Sequence, residues 1–199
     1  MSVSAIVWRN RTDENGRLEK GPTVFLLPGV NHSAQGALLY WTGELFAEAG
    51  WKVVAFEWDH NAIATMDSST YLQQEIAVAI VEHGVPNVIV GKSFGTKFLP
   101  HAVDSDVLGV WLTPVLNDPN VLRALRGASP SHLAIGGAAD PTWQPALGLA
   151  TRAKLMSIPD ADHFLSVPGS GWQANYALHQ KVFLRIQEHI MSNLHAPSM

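Results

Sequence analysis

Val88-Ile89-Val90-Gly91-Lys92-Ser93-Phe94-Gly95 is a β-branched apolar run that breaks on a serine set between two glycines, with residues of helical character behind it. A run of this kind reads as a fully buried strand, and the glycines let strand and helix pass closely around a tight turn. The turn lifts the serine hydroxyl clear of the sheet edge. The N-terminus of the helix behind it favours negative charge at that point.

The same alternation extends in both directions. Thr23-Val24-Phe25-Leu26-Leu27 and Lys52-Val53-Val54-Ala55-Phe56 are strand runs before it; Val107 to Leu112, His132 to Gly136 and Lys154 to Ile158 are strand runs after it. Between them Leu38, Leu39, Thr42, Leu45, Phe46 and Ala49 recur at helical spacing, ending at Gly50. Thr70 with Gln73 reads as a capping box ahead of Leu72, Ile76, Ala79 and Ile80, and that helix stops at Gly84. Tyr176, Leu178, Val182, Phe183, Ile186 and Ile190 are expected to form the inner face of a terminal helix. Ala5-Ile6-Val7-Trp8 suggests a further strand, with Asp13-Glu14-Asn15-Gly16 as the turn of an edge hairpin. Continuous apolar strands separated by helices predict an α/β fold with a mostly parallel sheet covered on both faces, as one domain over residues 1–199.

In such sheets ligands bind beyond the carboxyl ends of the strands, so those ends are where chemistry belongs. Ser93 ends one strand. Gly136-Gly137-Ala138-Ala139-Asp140 carries a carboxylate past another, and Pro159-Asp160-Ala161-Asp162-His163-Phe164 carries a histidine past the last. A serine hydroxyl becomes a nucleophile when a histidine takes its proton, and a carboxylate fixes that histidine's tautomer. Of nine histidines, His32 and His60 also follow strand ends but precede the serine. His83, His101, His179, His189 and His195 fall on or near helices and read as solvent-facing. His132 opens a strand, away from the cleft. Asp160 and Asp162 are too close to His163 in the chain to orient it, and Asp118 lies well past Leu112. Lys92 points away from Ser93 by strand alternation and reads as structural. The upstream glycine of a phosphate loop is replaced by Pro86, which argues against a nucleotide site.

Gly91-x-Ser93-x-Gly95 after a strand, followed in order by Asp140 and His163, resembles the α/β-hydrolase superfamily from Leu26-Leu27-Pro28-Gly29 to the terminal helix. The resemblance implies a serine hydrolase with Ser93, His163 and Asp140 as its triad. It further implies an oxyanion hole from the backbone N–H of Phe94 and of the residue after the first strand-end glycine. That residue is Val30, with Asn31 as the alternative because Pro28 replaces the usual histidine. Asn31, His32, Trp58, Trp111 and Trp143 are expected to line the pocket. The connection from Thr113 to Ser131 has room for one helix, so no cap domain is expected and the substrate should be a small acyl compound, an ester first among them.

Composition narrows the field. Only 15% of residues are charged, against a usual ~25%, and 47% are hydrophobic, so most of the chain is expected to be interior. The low charge also suits an apolar cleft or a homodimer surface. With no cysteine and a net charge of −4, thiolate catalysis, cysteine-ligated zinc and a nucleic-acid surface are excluded. No signal peptide or membrane span is read, so a cytoplasmic location is expected. Neither metal nor cofactor is called for. Two other classes fit the same residues: a non-hydrolytic ligand-binding or scaffold protein, and a triad-bearing lyase or peroxidase-like enzyme.

Overall fold

The computed structural model describes residues 5–9, 21–146 and 148–194. Its strands are β1 (Ala5–Arg9), β2 (Thr23–Leu27), β3 (Lys52–Phe56), β4 (Val88–Lys92), β5 (Leu108–Leu112), β6 (His132–Gly137) and β7 (Lys154–Ile158). They form a seven-stranded sheet in the order β1-β3-β2-β4-β5-β6-β7. Edge strand β1 runs antiparallel to β3, and every other neighbouring pair is parallel. The turn expected from Asp13 to Gly16 lies outside the described residues.

Parallel neighbours require crossovers, which the helices supply. These are α1 (Ala37–Glu48), α2 (His60–Thr65), α3 (Ser68–His83), α4 (Leu99–Asp104), α5 (Pro119–Gly127) and α6 (Trp172–Leu194). Side chains alternate across each strand, so one run feeds two cores. Phe25, Leu27, Ile89 and Trp111 face α3, α4 and α5 with Leu72, Ile76 and Leu125. Val24, Leu26, Val90 and Val110 face α1 and α6 with Leu39, Phe46, Val182 and Ile186. Each such fully buried side chain stabilises the fold by roughly 2 kcal/mol on leaving water.

Three local readings are corrected. Helix α3 starts earlier than the capping box implied: Asp67 is its N-cap, and its carboxylate accepts from Thr70 N at 2.9 Å. A carboxylate outcompetes a threonine hydroxyl there because it also meets the helix dipole. Tyr176 is exposed, on the outer side of α6, whose inner face begins with half-buried Leu178 and is fully buried from Val182. His189, expected in solvent, is fully buried.

The chain proceeds from β2 outward to β3, then returns to the other side of β2 for β4. Loops after β2 and β4 therefore diverge above adjacent strands, which opens a crevice between them. Both strand ends carry residues singled out for chemistry. Between β5 and β6 the chain holds only α5, which packs against the sheet through Val121 and Leu125.

Candidate active site

Ser93 follows β4 directly, at φ 51, a left-handed conformation a non-glycine residue adopts only under constraint. The flanking glycines supply that constraint. A Cβ on Gly91 would stand 2.9 Å from the Gly95 carbonyl oxygen and 3.0 Å from the Trp111 ring, and one on Gly95 would collide with the Leu27 carbonyl of β2. Gly95 N–H donates to Pro28 O at 3.1 Å, and the Thr96 hydroxyl donates to Ser93 O at 2.5 Å. The turn is thus pinned to the loop after β2.

His163 brings its Nε2 to 2.9 Å from Ser93 Oγ and its Nδ1 to 2.6 Å from Asp140 Oδ2. A carboxylate only accepts, so Nδ1 carries the proton and Nε2 is left to accept from the serine hydroxyl. Asp140 is 1% exposed and the His163 side chain 30% exposed, so a sealed carboxylate holds a ring open to solvent on one side. The loop that carries His163 is organised by Asp162, whose Oδ1 accepts from Phe164 N at 2.8 Å and Ser166 N at 3.1 Å. His179 of α6 adds a clamp, its Nε2–H donating to Leu165 O at 3.1 Å. It is half-buried, not solvent-facing.

Thr142 belongs to this network and was missed in the sequence. Its N–H donates to Asp140 Oδ1 at 2.9 Å, and its hydroxyl lies 2.9 Å from both carboxylate oxygens and 3.4 Å from His163 Nδ1. The available signal was Asp140-Pro141-Thr142 itself: an aspartate bonding the amide two residues on is an Asx-turn. Asp118, the other acid weighed, caps α5 through Asn120 N and pairs with Lys97 at 3.2 Å.

The remaining expected residues divide. Gly29 lies against the serine; a Cβ there would stand 3.3 Å from Ser93 Cβ and 3.7 Å from Oγ. Val30 follows, half-buried, and Asn31 turns at φ 60. Neither Val30 N–H nor Phe94 N–H has a backbone acceptor among the described residues. Asn31 and His32 are exposed at the rim, where His32 meets Phe164 edge-on with ring centroids 6.0 Å apart. Trp58, Trp111 and Trp143 are not cleft walls. All three are buried, drawn inward because each indole N–H finds a partner there: Pro28 O at 2.8 Å, His132 Nδ1 at 3.2 Å and Ser157 Oγ at 3.0 Å. Trp58 still serves the site indirectly, since it braces the Pro28-Gly29 loop from below and packs on Phe94. His60 opens α2. No group of three or more His, Asp or Glu among the described residues could hold a metal ion, and no described helix is long and apolar enough to cross a membrane.

No protein-family model matches the chain, and no curated protein matches it. Solved structures do. A lidless α/β serine hydrolase from Xanthomonas campestris superposes with a TM-score of 0.63 at 16% identity, over 88% of this chain and 84% of its own. Est1E from Butyrivibrio proteoclasticus gives 0.64 at 14% identity, over 94% and 99%. A dienelactone hydrolase from Anabaena variabilis gives 0.58 at 18% identity, over 81% and 83%. At these identities the likeness is one of architecture: the chain has the α/β-hydrolase fold.

Proposed function

We propose that the protein is a serine hydrolase that cleaves small carboxylic esters through an acyl-enzyme. One observation carries this reading: the continuous chain from Ser93 Oγ to His163 Nε2 at 2.9 Å and from His163 Nδ1 to Asp140 Oδ2 at 2.6 Å, at a strained turn above the crevice. Ser93 attacks the substrate carbonyl while His163 takes its proton, and Asp140 stabilises the imidazolium that forms. The N–H groups of Phe94 and Val30 receive the oxyanion, whose charge they stabilise in a site partly closed to water. His163 then returns its proton to the leaving alcohol. In deacylation it activates water against the same carbonyl, and Ser93 leaves as the hydroxyl.

An ester of modest size is favoured because only α5 lies between β5 and β6, leaving the crevice without a cap. The hydrolases to which the fold is similar, one of them lidless, support the class of reaction. A small-molecule substrate and a cytoplasmic location are part of this reading.

The test is active-site labelling. A fluorophosphonate probe should label the native protein and leave Ser93→Ala unlabelled, and turnover of activated short-chain esters should fall by several orders of magnitude in the variant. Equal labelling of both proteins would reject the assignment.

A further inference from the structure

Next to Gly29 and Lys92, on the α1–α6 side of the sheet, lies a cavity of about 130 Å³. That is several times the roughly 10–15 Å³ that one water needs, so a carboxylate on a short methylene link fits. It begins at Gly29, where an added Cβ would stand 3.7 Å from Ser93 Oγ, passes His32, and runs down between the start of α1, Phe164 and Lys92.

Two positive features meet in it. Lys92, immediately before the nucleophile, points to the opposite face by strand alternation and is only 8% exposed. Its ammonium sits 5.4 Å above the Phe164 ring, and among the described residues no hydrogen bond and no ion pair reaches Nζ. Burial pushes the group below the ordinary lysine range, while the Asp140 and Asp162 carboxylates pull it back up. Those carboxylates are engaged elsewhere, Asp140 with His163 and Thr142, Asp162 with two amides of its own loop. The second feature is the N-terminus of α1. Its N-cap is Gly36, which has no side chain to offer, its first turn contains no acidic residue, and Ala37 and Leu38 N–H have no backbone acceptor among the described residues. In α2, α3 and α5 an aspartate fills this role. A lysine whose side chain is largely buried while its ammonium opens to the cavity, together with an uncapped helix N-terminus on the same wall, leaves a place for an anion. The cavity's remaining walls include Leu38, Leu39 and Phe164, which suit a short methylene link rather than a hydrated inorganic ion.

We propose that this cavity is an acyl subsite for a carboxylate, so that the preferred substrates are half-esters of short dicarboxylic acids. The free carboxylate rests between Lys92 Nζ and the first amides of α1, and the ester carbonyl lies at Ser93 past the Gly29 edge. This assignment rests on Ser93 as the nucleophile, but the anion site can be measured without turnover.

The experiment titrates Ser93→Ala protein with monomethyl succinate and with its neutral isostere methyl succinamate, followed by NMR shifts. The anion should bind about tenfold more tightly or better, the scale of a charge-assisted bond out of water. Adding Lys92→Met should remove the difference. Equal affinity for the two ligands in Ser93→Ala, or an advantage that survives Lys92→Met, overturns the proposal. Should Lys92→Met fail to fold, Ala37→Leu, at an exposed position on the cavity wall, narrows the space and should weaken the anion several-fold; unchanged binding there overturns the proposal equally. Hydrolysis of neutral esters by the unsubstituted protein reports on Ser93 alone. A protein that hydrolyses them without an anion advantage therefore loses the subsite and keeps the hydrolase reading.

Discussion

Histidines occupy both ends of the sheet, and the two ends treat them differently. At the carboxyl ends of the strands, His163 keeps its side chain 30% exposed and lies between a hydroxyl and a carboxylate. At the opposite ends, His132 opens β6 across from Gly109, fully buried, and its Nδ1 accepts from the Trp111 indole at 3.2 Å. Nearby, His189 of α6 donates from Nε2 to Ser131 O at 3.1 Å and ties the terminal helix to the start of β6. A carboxylate partner lets a ring accept and return a proton. An indole N–H aimed at the ring nitrogen forbids one, because protonation would set two donors against each other. One network can move a proton and the other can only hold the fold together.

The largest effect expected from breaking this contrast is at Asp140. Asp140→Asn keeps the size of the side chain but removes the charge that holds the His163 tautomer, so kcat should fall by about 10⁴-fold. Steady-state kinetics on an activated ester checks it. A loss of less than tenfold would mean that another carboxylate serves, with Asp162 the nearest in the chain. No such loss is expected from His189→Gln, which alters only the far end of the sheet.

The open network is readable in the sequence because each of its members follows a short apolar strand run, and a parallel sheet brings all such ends to one edge. Ser93, Asp140 and His163 are thus placed by chain order alone. The sealed network leaves fainter marks. Gly109 interrupts an apolar strand, and a Cβ there would stand 2.5 Å from His132 Nδ1 and 2.7 Å from Trp111 Nε1, so its missing side chain makes the room both rings use. Nothing in a single sequence says which way an indole turns once it reaches the sheet interior, and for that reason the strand-end positions of Trp58, Trp111 and Trp143 suggest cleft walls where the structure has buried rings. The α1 cavity is hidden for a related reason: Lys92 is a strand residue by parity, and only the packing of α1 and α6 shows that its ammonium meets the Phe164 ring and, among the described residues, no hydrogen-bond acceptor.

The sealed histidines should appear in the pH dependence of stability. Burial pushes both His132 and His189 down from the ordinary 6.5 to about 4. Unfolded chains take up these protons first as pH falls. Stability is therefore fully present above pH 6.5, is lost between there and about 4, and changes no further from this source below that. At about pH 5 the loss amounts to about 2 kcal/mol for each histidine. Urea unfolding at about pH 7.5 and about pH 5 should register it, and His189→Gln, which has no proton to take up, should flatten the difference by one histidine's share. An acid loss identical in the variant would place the titration elsewhere.

The smallest effect separates positioning from packing inside the open network. Thr142 touches Asp140 through both its amide and its hydroxyl. Thr142→Val preserves shape and the amide bond but withdraws the hydroxyl, leaving the buried carboxylate with one donor fewer. Loss of a single hydrogen bond to a charged acceptor is worth about 1.5–3 kcal/mol at most, part of which Asp140 recovers by drawing His163 closer. The expected result is a drop in kcat of about tenfold with KM unchanged, because Thr142 bonds the carboxylate and not the crevice where substrate lies. Thr142→Ser returns the hydroxyl without the methyl group and should restore the rate. If Ser fails to rescue, or if KM rises with the fall in kcat, Thr142 acts through the packing of its loop and the hydroxyl is incidental. The comparison between the two ends of the sheet then sharpens. A half-buried donor near His163 would matter as packing does at His132, and the division between a proton-moving network and a holding one would run through the active site itself.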